Sequence, residues 1–169
     1  MKKLAVLPLV CGLAVASHAS AMDYVFNFGN VLITPANPQS QNANLSPGAG
    51  WQVVGFTFDG YYNYTHSFFA TDARLDIFGP GGFHYAVGGY DNYSGNPWQF
   101  GDGEGQKTHT AAIGPVNANG NWTVQIINDW APSSGHNWSN LTVTLHMVPA
   151  PGGLALLGLA GAAAFRRRR

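Results

Sequence analysis

The stretch at 121–126, Asn-Trp-Thr-Val-Gln-Ile, decides the fold class, because polar and apolar residues alternate through it without interruption. A second stretch at 141–146, Leu-Thr-Val-Thr-Leu-His, repeats the same alternation. A period of two places apolar side chains on one face of a β-strand and polar side chains on the other. Both stretches therefore predict strands that cover a core with one face.

Other parts of the chain carry the same pattern. Residues 51–58 alternate too, with Gly55 at the point where the phase slips, as it does at a β-bulge. Residues 75–87 hold two alternating runs around Gly-Pro-Gly-Gly at 79–82, which predicts a hairpin. The segment 33–50 is rich in Asn, Gln, Pro and Ser and predicts a long loop or a leader before the main sheet. Short alternating runs without helical spacing indicate an all-β fold, an antiparallel β-sandwich.

The first 21 residues have the composition of a secretory signal peptide. Two lysines follow Met1, an apolar run comes next, and the small residues Ala-Ser-Ala stand at 19–21. We expect signal peptidase to remove residues 1–21, so that the mature protein begins at Met22. The only cysteine, Cys11, leaves with this segment, which excludes disulfide and thiolate chemistry from the mature domain.

Residues 148–169 form a second targeting segment with three parts. Its apolar part, residues 154–165, would span about 18 Å as a helix, short of the ~30 Å hydrocarbon core of a membrane. The other two parts are a proline motif and a basic tail that stops export on the cytoplasmic side: Val148, Pro149, Ala150 and Pro151, then Arg166, Arg167, Arg168 and Arg169.

This end of the chain resembles the bacterial PEP-CTERM sorting signal, in a Val-Pro-Ala-Pro variant. The resemblance implies transient membrane association, followed by an exosortase that recognises the proline motif and removes the tail. The protein would then be displayed at the cell surface or in the extracellular matrix. A simple C-terminal membrane anchor is the alternative.

The charge of the working domain differs from that of the whole chain. The full sequence has 8 basic and 8 acidic residues, but six of the basic ones lie in the two terminal segments. The remaining domain keeps Arg74 and Lys107 against all eight acids, a formal net charge of −6. This balance disfavours nucleic acid as a partner and leaves room for cations. An aromatic content of 13% excludes a disordered chain.

Between the ends, residues 22–147 resemble the P domain of proprotein convertases in three stretches. These are Asp-Ala-Arg-Leu-Asp-Ile-Phe-Gly-Pro-Gly-Gly at 72–82, Asn-Gly-Asn-Trp-Thr-Val-Gln-Ile at 119–126, and the Trp-containing stretch at 135–145. The resemblance implies one jelly-roll-like β-sandwich. Because P domains accompany subtilisin-like proteases, it also raises an alternative function, an accessory module of a separately encoded secreted hydrolase.

Acidic residues on glycine-rich loops make calcium the metal to expect, since calcium prefers hard oxygen ligands. The candidate ligands are Asp91, Asp102, Glu104 and Asp129. Their spacing follows no regular calcium loop, so acidic loops without a metal remain the alternative. Asp72, at the start of a predicted strand, is expected to cap a turn with its side chain instead.

Aromatic residues offer a second kind of site. Tyr90, Tyr93 and Trp98 are flanked by Gly, Asn and Pro, so we expect exposed rings that stack on the sugars of a polysaccharide. Filling the core is the alternative role for such rings. No histidine pair has metal-ligand spacing and no catalytic motif is present. The sequence therefore favours a non-enzymatic exported protein for adhesion or matrix interaction, with no cofactor other than calcium.

Overall fold

The structure, a computed structural model, describes residues 20–63, 69–130 and 135–150. Most of the expected signal peptide lies outside these residues, as do Pro151, the apolar segment and the four terminal arginines. Within the described ranges, no helix is long and apolar enough to cross a membrane.

Eight strands and three single-turn 3-10 helices are found in the described ranges. The helical turns are Ala70–Asp72, Pro80–Gly82 and Tyr90–Asn92. The strands are β1 (Met22–Ile33), β2 (Gln39–Leu45), β3 (Trp51–Asn63), β4 (Ala73–Gly79), β5 (Phe83–Gly88), β6 (Gly105–Asn117), β7 (Gly120–Asn128) and β8 (His136–Pro149).

The strands form two four-stranded sheets with the order of a jelly roll. Sheet 1 has the order β1-β8-β3-β6 and sheet 2 the order β2-β7-β4-β5. All neighbouring strands are antiparallel. Consecutive strands alternate between the sheets except at the β4–β5 hairpin. The expectation of an all-β, jelly-roll-like sandwich is confirmed.

The core lies between the sheets and follows the alternation of the sequence. The apolar side chains of β7 and β8 are fully buried: Trp122, Val124, Ile126, Leu141, Val143 and Leu145. Burial of each aliphatic side chain of this kind contributes about 1.5–3 kcal/mol. The polar residues between them, such as Thr123 and Thr144, stay partly exposed on the outer faces.

The predicted hairpin and bulge are both present. β4 pairs with β5 across the turn Pro80–Gly82, where Gly81 and Gly82 have φ values of 71° and 78° that favour glycine. The register of β3 shifts between Val53 and Gly55 in both of its ladders. At Gly55 a Cβ atom would lie 2.9 Å from the carbonyl oxygen of Ala111, so the bulge needs a residue without a side chain.

The expectation of a loop or leader over 33–50 is wrong, because β2 lies inside that segment and pairs with β7. Its inward face is only partly apolar, with Ala43 and Leu45 next to glutamines, so the sequence lacks the hydrophobic alternation of a central strand. Gln41 is accommodated because its Nε2 donates to the carbonyl oxygen of Asn27 at 2.6 Å. At the other end, β8 continues to Pro149, two residues past the expected boundary at Met147.

Two buried histidines of the described residues make the fold sensitive to acid. His136 is fully buried, its Nε2 bonds Asn128 Oδ1 at 3.1 Å, and burial lowers its pKa from 6.5 to about 4. Burial also lowers the pKa of His109, whose Nδ1 accepts a hydrogen bond from the Gln99 amide. Below pH 6.5 the unfolded chain therefore binds protons that the folded domain does not.

We predict that the free energy of unfolding keeps its full value at pH 7 and decreases as the pH drops from 6.5 towards 4. The contribution of His136 alone is about 1.4 kcal/mol per pH unit in this window. Urea denaturation at pH 7 and at pH 4.5 measures the fall. The His136→Gln variant should show a smaller pH dependence, whatever its stability at pH 7. Equal pH dependence in the variant and the parent protein would contradict the assignment.

Candidate functional site

Exposed aromatic rings gather at one end of sheet 2. The rings of Tyr90 and Trp130 are 40% and 37% exposed, and their centroids are 4.0 Å apart. Tyr93 is 75% exposed and lies against Arg74, whose guanidinium carbon is 5.1 Å from the ring centroid. We call these four residues, together with Asp129, the loop-end cluster.

Glycines let the chain build this cluster. Gly88 ends β5 and Gly89 follows it, with φ values of 76° and 91° that turn the chain sharply towards Tyr90. At Gly89 a Cβ atom would lie 2.7 Å from Asp129 Oδ2 and 3.3 Å from Tyr93 Cβ. The close approach of Asp129 and Tyr93 therefore depends on the missing side chain at position 89.

An ion-pair network fixes the polar part of the cluster. Arg74 Nε donates to Asp76 Oδ2 at 2.9 Å, and another guanidinium nitrogen donates to Asp129 Oδ1 at 3.0 Å. Burial lowers the pKa of Arg74, but the hydrogen bond to Asp76 and the charges of Asp76 and Asp129 outweigh it and raise that pKa. The other oxygen of Asp76 contacts His84 Nε2 at 2.8 Å. The guanidinium is thus held against Tyr93 as a fixed cation.

The structure agrees with the expectation for two of the three aromatic candidates and contradicts it for the third. Tyr90 and Tyr93 are exposed, as expected, but the expectation for Trp98 is wrong because Trp98 is only 7% exposed. Its Nε1 donates to the carbonyl oxygen of Ala73 at 2.7 Å, and its ring packs on Phe58 and Phe100. Position 88 explains the burial, since a Cβ atom at Gly88 would lie 1.9 Å from Trp98 Nε1.

Three of the four acidic candidates bond separate partners. Asp129 pairs with Arg74, Asp102 accepts a hydrogen bond from the Thr71 hydroxyl, and Glu104 accepts one from Tyr61 at 3.3 Å. Asp91 is exposed on the turn beside Tyr90. Among the residues that the structure describes, no three His, Cys, Asp or Glu side chains form a group that could hold a metal. Calcium binding stays a prediction without an assembled ligand set.

Asp72 caps a turn, as the sequence predicts. Its Oδ2 accepts a hydrogen bond from the Phe69 amide at 3.2 Å, which begins the helical turn before β4. Burial raises the pKa of Asp72, and the nearby charges of Asp102 and Asp91 raise it further against the lowering effect of the Phe69 amide. The link between Asp72 and the loop-end cluster is a backbone bond, since the Asp129 amide donates to the carbonyl oxygen of Asp72 at 3.2 Å.

Trp130 is the site residue that sequence reasoning missed. It follows β7 by two residues and precedes Ala-Pro, which is the same signal of an aromatic residue in a turn segment that marked Tyr90. The ring that Trp130 contacts, Tyr90, lies in the helical turn after β5. Only the jelly-roll topology brings them together.

A line of polar side chains on the outer face of sheet 1 was also missed. His146 Nε2 lies 2.8 Å from the hydroxyl of Thr57, and His146 Nδ1 lies 2.8 Å from Asp23 Oδ1. A hydroxyl, an imidazole and a carboxylate in this order can activate a nucleophile when they line a cleft. Here the line crosses a sheet face and ends on Thr110, 3.0 Å from Thr57, so it connects all four strands of the sheet.

We predict that Trp98 and Tyr93 respond differently to truncation. Trp98→Ala opens a cavity in the core and should lower the free energy of unfolding by about 3–5 kcal/mol. Tyr93→Ala removes an exposed ring and should cost about 1 kcal/mol or less. Urea denaturation of both variants measures the difference. Equal losses would contradict the assignment of Trp98 to the core and of Tyr93 to the surface.

Two comparisons with known proteins find no match for the chain. No protein-family model matches it, and no curated protein matches it. The resemblances to the PEP-CTERM sorting signal and to the P domain therefore stay predictions, carried by the residues in which they were seen.

Proposed function

We propose that this chain is an exported, non-enzymatic bacterial surface or matrix protein that binds polysaccharide through the loop-end cluster. The observation that carries the proposal is the grouping of three exposed aromatic rings, from Tyr90, Tyr93 and Trp130, beside a fixed ion pair. The C–H face of a sugar ring stacks on an aromatic face, and neighbouring polar groups bond its hydroxyls.

The exposure of these rings favours a binding role over a packing role. A ring that fills the core is withdrawn from water, as Trp98 is, whereas Tyr93 leaves three quarters of its surface in solvent. Grouped exposed apolar surface marks interaction sites in soluble domains. Tyr90 packs on Trp130 and Arg74 lies over Tyr93, so these contacts already restrict the rings and reduce the conformational entropy lost when a ligand binds.

The electrostatics favour a neutral or weakly charged polymer. The domain between the terminal segments carries a formal net charge of −6. The cation of the cluster, Arg74, already donates to Asp76 and Asp129. A nucleic acid or a strongly acidic polymer would therefore meet a repulsive field without an available counter-charge in the cluster.

Export and sorting form the second part of the proposal. Signal peptidase would release Met22, and an exosortase would act at the motif that starts with Val148, after transient membrane association of the tail. Both terminal segments support this route, together with the six basic residues that they hold. A surface location gives a polysaccharide-binding domain direct access to the matrix.

We predict that Trp130→Ala and Tyr93→Ala each weaken retention on an insoluble polysaccharide by about threefold to tenfold, because each removes one stacking face. The measurement is a depletion isotherm on a panel of neutral and acidic polymers. Tyr24→Ala is the matched control, since Tyr24 has the same exposure as Trp130, 37%, but lies on β1. Unchanged retention in both cluster variants, or equal loss in the control, would contradict the site.

We also predict that replacing Pro149 and Pro151 together with alanine leaves an uncleaved, membrane-retained form. The reason is that the proline motif is the element that the exosortase is proposed to recognise. Cell fractionation and the mass of the released protein measure the outcome in the native host. Because Pro149 pairs with Trp51 at the end of β8, the circular dichroism of the variant domain is the folding control. Normal processing of this variant would contradict the sorting proposal.

An accessory module of a separately encoded hydrolase is the other function that the P-domain resemblance suggests. This alternative predicts that a hydrolase co-purifies with the protein when the protein is isolated from the culture medium of its host. A polysaccharide-binding protein that purifies alone would count against this alternative.

A further inference from the structure

The outer face of sheet 2 carries a second group of side chains, away from the loop-end cluster. Asn42 on β2 lies opposite Thr123 on β7, Thr123 lies opposite Phe78 on β4, and Phe78 lies opposite His84 on β5. The four residues therefore form one line across the whole sheet, which we call the cross-strand strip. With strands about 4.8 Å apart, the strip is about 14 Å long.

One half of the strip is an aromatic platform of two rings stacked face to face, so that only their outer faces and edges are open to a ligand. The rings of Phe78 and His84 are stacked with centroids 4.5 Å apart and planes within 5° of parallel. Phe78 is 39% exposed and the His84 side chain 49%. The platform is rigid, because His84 Nε2 contacts Asp76, which is only 3% exposed and bonds Arg74 on its other oxygen.

The other half of the strip is an uncharged polar pocket of about 380 Å³. Its floor is the backbone at the paired residues Ala43 and Trp122. Its walls are the side chains of Asn42, Asn44, Asn121 and Thr123. Thr123 Oγ1 donates to Asn42 Oδ1 at 2.6 Å, which fixes one wall, while the exposed amides of Asn44 and Asn121 face each other across the strands.

The chemistry of the two halves is complementary to a sugar chain. A stacked aromatic platform fits the C–H face of a pyranose ring. Each primary amide offers two donors and an acceptor, the set that a sugar hydroxyl needs. Among the described residues, no charged side chain lines the pocket. The charge of Asp76 beneath the platform is already matched by Arg74.

We infer that the cross-strand strip is a second binding subsite, for a linear neutral polysaccharide that lies across the strands. One sugar stacks on the outer face of the Phe78–His84 pair, and the following sugars bond the amides of the pocket. The class of ligand rests on the proposed function, but the site is separate from the loop-end cluster. Arg74 and Phe78 are four residues apart on β4, about 13 Å, so one polymer chain can contact both sites.

The test measures binding of the full exported protein to cellulose, xylan, mannan and β-1,3-glucan, with alginate and polygalacturonate as acidic polymers. Phe78→Ala and Asn121→Ala should each weaken retention on the neutral polymer that binds best, by about threefold to tenfold. Phe78→Trp should restore retention, because it keeps a stacking face. Thermal denaturation shows whether each variant is folded.

Matched controls lie on sheet 1. Tyr61 is 38% exposed, against 39% for Phe78, and Asn137 is an exposed asparagine on β8, so Tyr61→Ala and Asn137→Ala should bind like the parent protein. Weaker retention of both strip variants, with normal retention of both controls, supports the strip. This holds also when Trp130→Ala binds normally, a result that contradicts only the loop-end proposal. Normal binding in the strip variants, with loss in Trp130→Ala, overturns the strip and leaves the proposed function standing.

Two results concern the ligand class. Retention on the acidic polymers that equals or exceeds retention on the neutral ones would overturn the assignment of a neutral chain. Absence of retention on every polymer would overturn both the strip and the proposed function.

Discussion

The carboxylate of Asp76 is the interaction on which both proposed binding surfaces depend. It is nearly inaccessible to solvent, with one oxygen on Arg74 and the other on His84. A buried charge is tolerated only when it is paired and hydrogen-bonded, and the loss of one partner leaves a desolvated ion. The loop-end cluster needs Arg74 in place beneath Tyr93, and the strip needs His84 parallel to Phe78. One side chain on β4 therefore positions groups at two sites.

Polar side chains elsewhere on the sheets stabilise strand pairing without charge. On sheet 1, hydrogen bonds run from Asp23 through His146 and Thr57 to Thr110, crossing all four strands. Each such hydrogen bond contributes about 0.5–1.5 kcal/mol to the free energy of unfolding. Hydrogen bonds between side chains of neighbouring strands also fix the register of those strands. The hydroxyls of this face are already bonded to one another. On sheet 2 the amides of Asn44 and Asn121 are exposed to solvent, and this difference separates a structural face from the proposed binding face.

The sequence predicted those parts of the fold that local patterning determines. Strict alternation at Trp122 and Leu141 marks central strands, because their inner faces are entirely apolar. The same reasoning failed at β2, an edge strand whose inward Gln41 is satisfied by a backbone carbonyl of β1. It failed at Trp98, since the space that receives the ring is provided by Gly88, ten residues away. The strip could not be predicted from the sequence, because its residues lie on four strands and only the register of the sheet brings them together.

The two basic residues of the domain support the proposal that its ligand is neutral. Arg74 is neutralised by two carboxylates, and Lys107, 7% exposed, donates to the carbonyl oxygen of Gly101 at 2.6 Å. Its ammonium group also lies 5.9 Å from the centroid of the Phe100 ring. Both cations are therefore committed to internal contacts, while most of the acidic side chains remain at the surface. The resulting negative field repels acidic polymers over a distance of about one Debye length, roughly 8–10 Å. The proposed recognition therefore relies on stacking and neutral hydrogen bonds, which is the chemistry that Phe78, His84 and the asparagine pocket present.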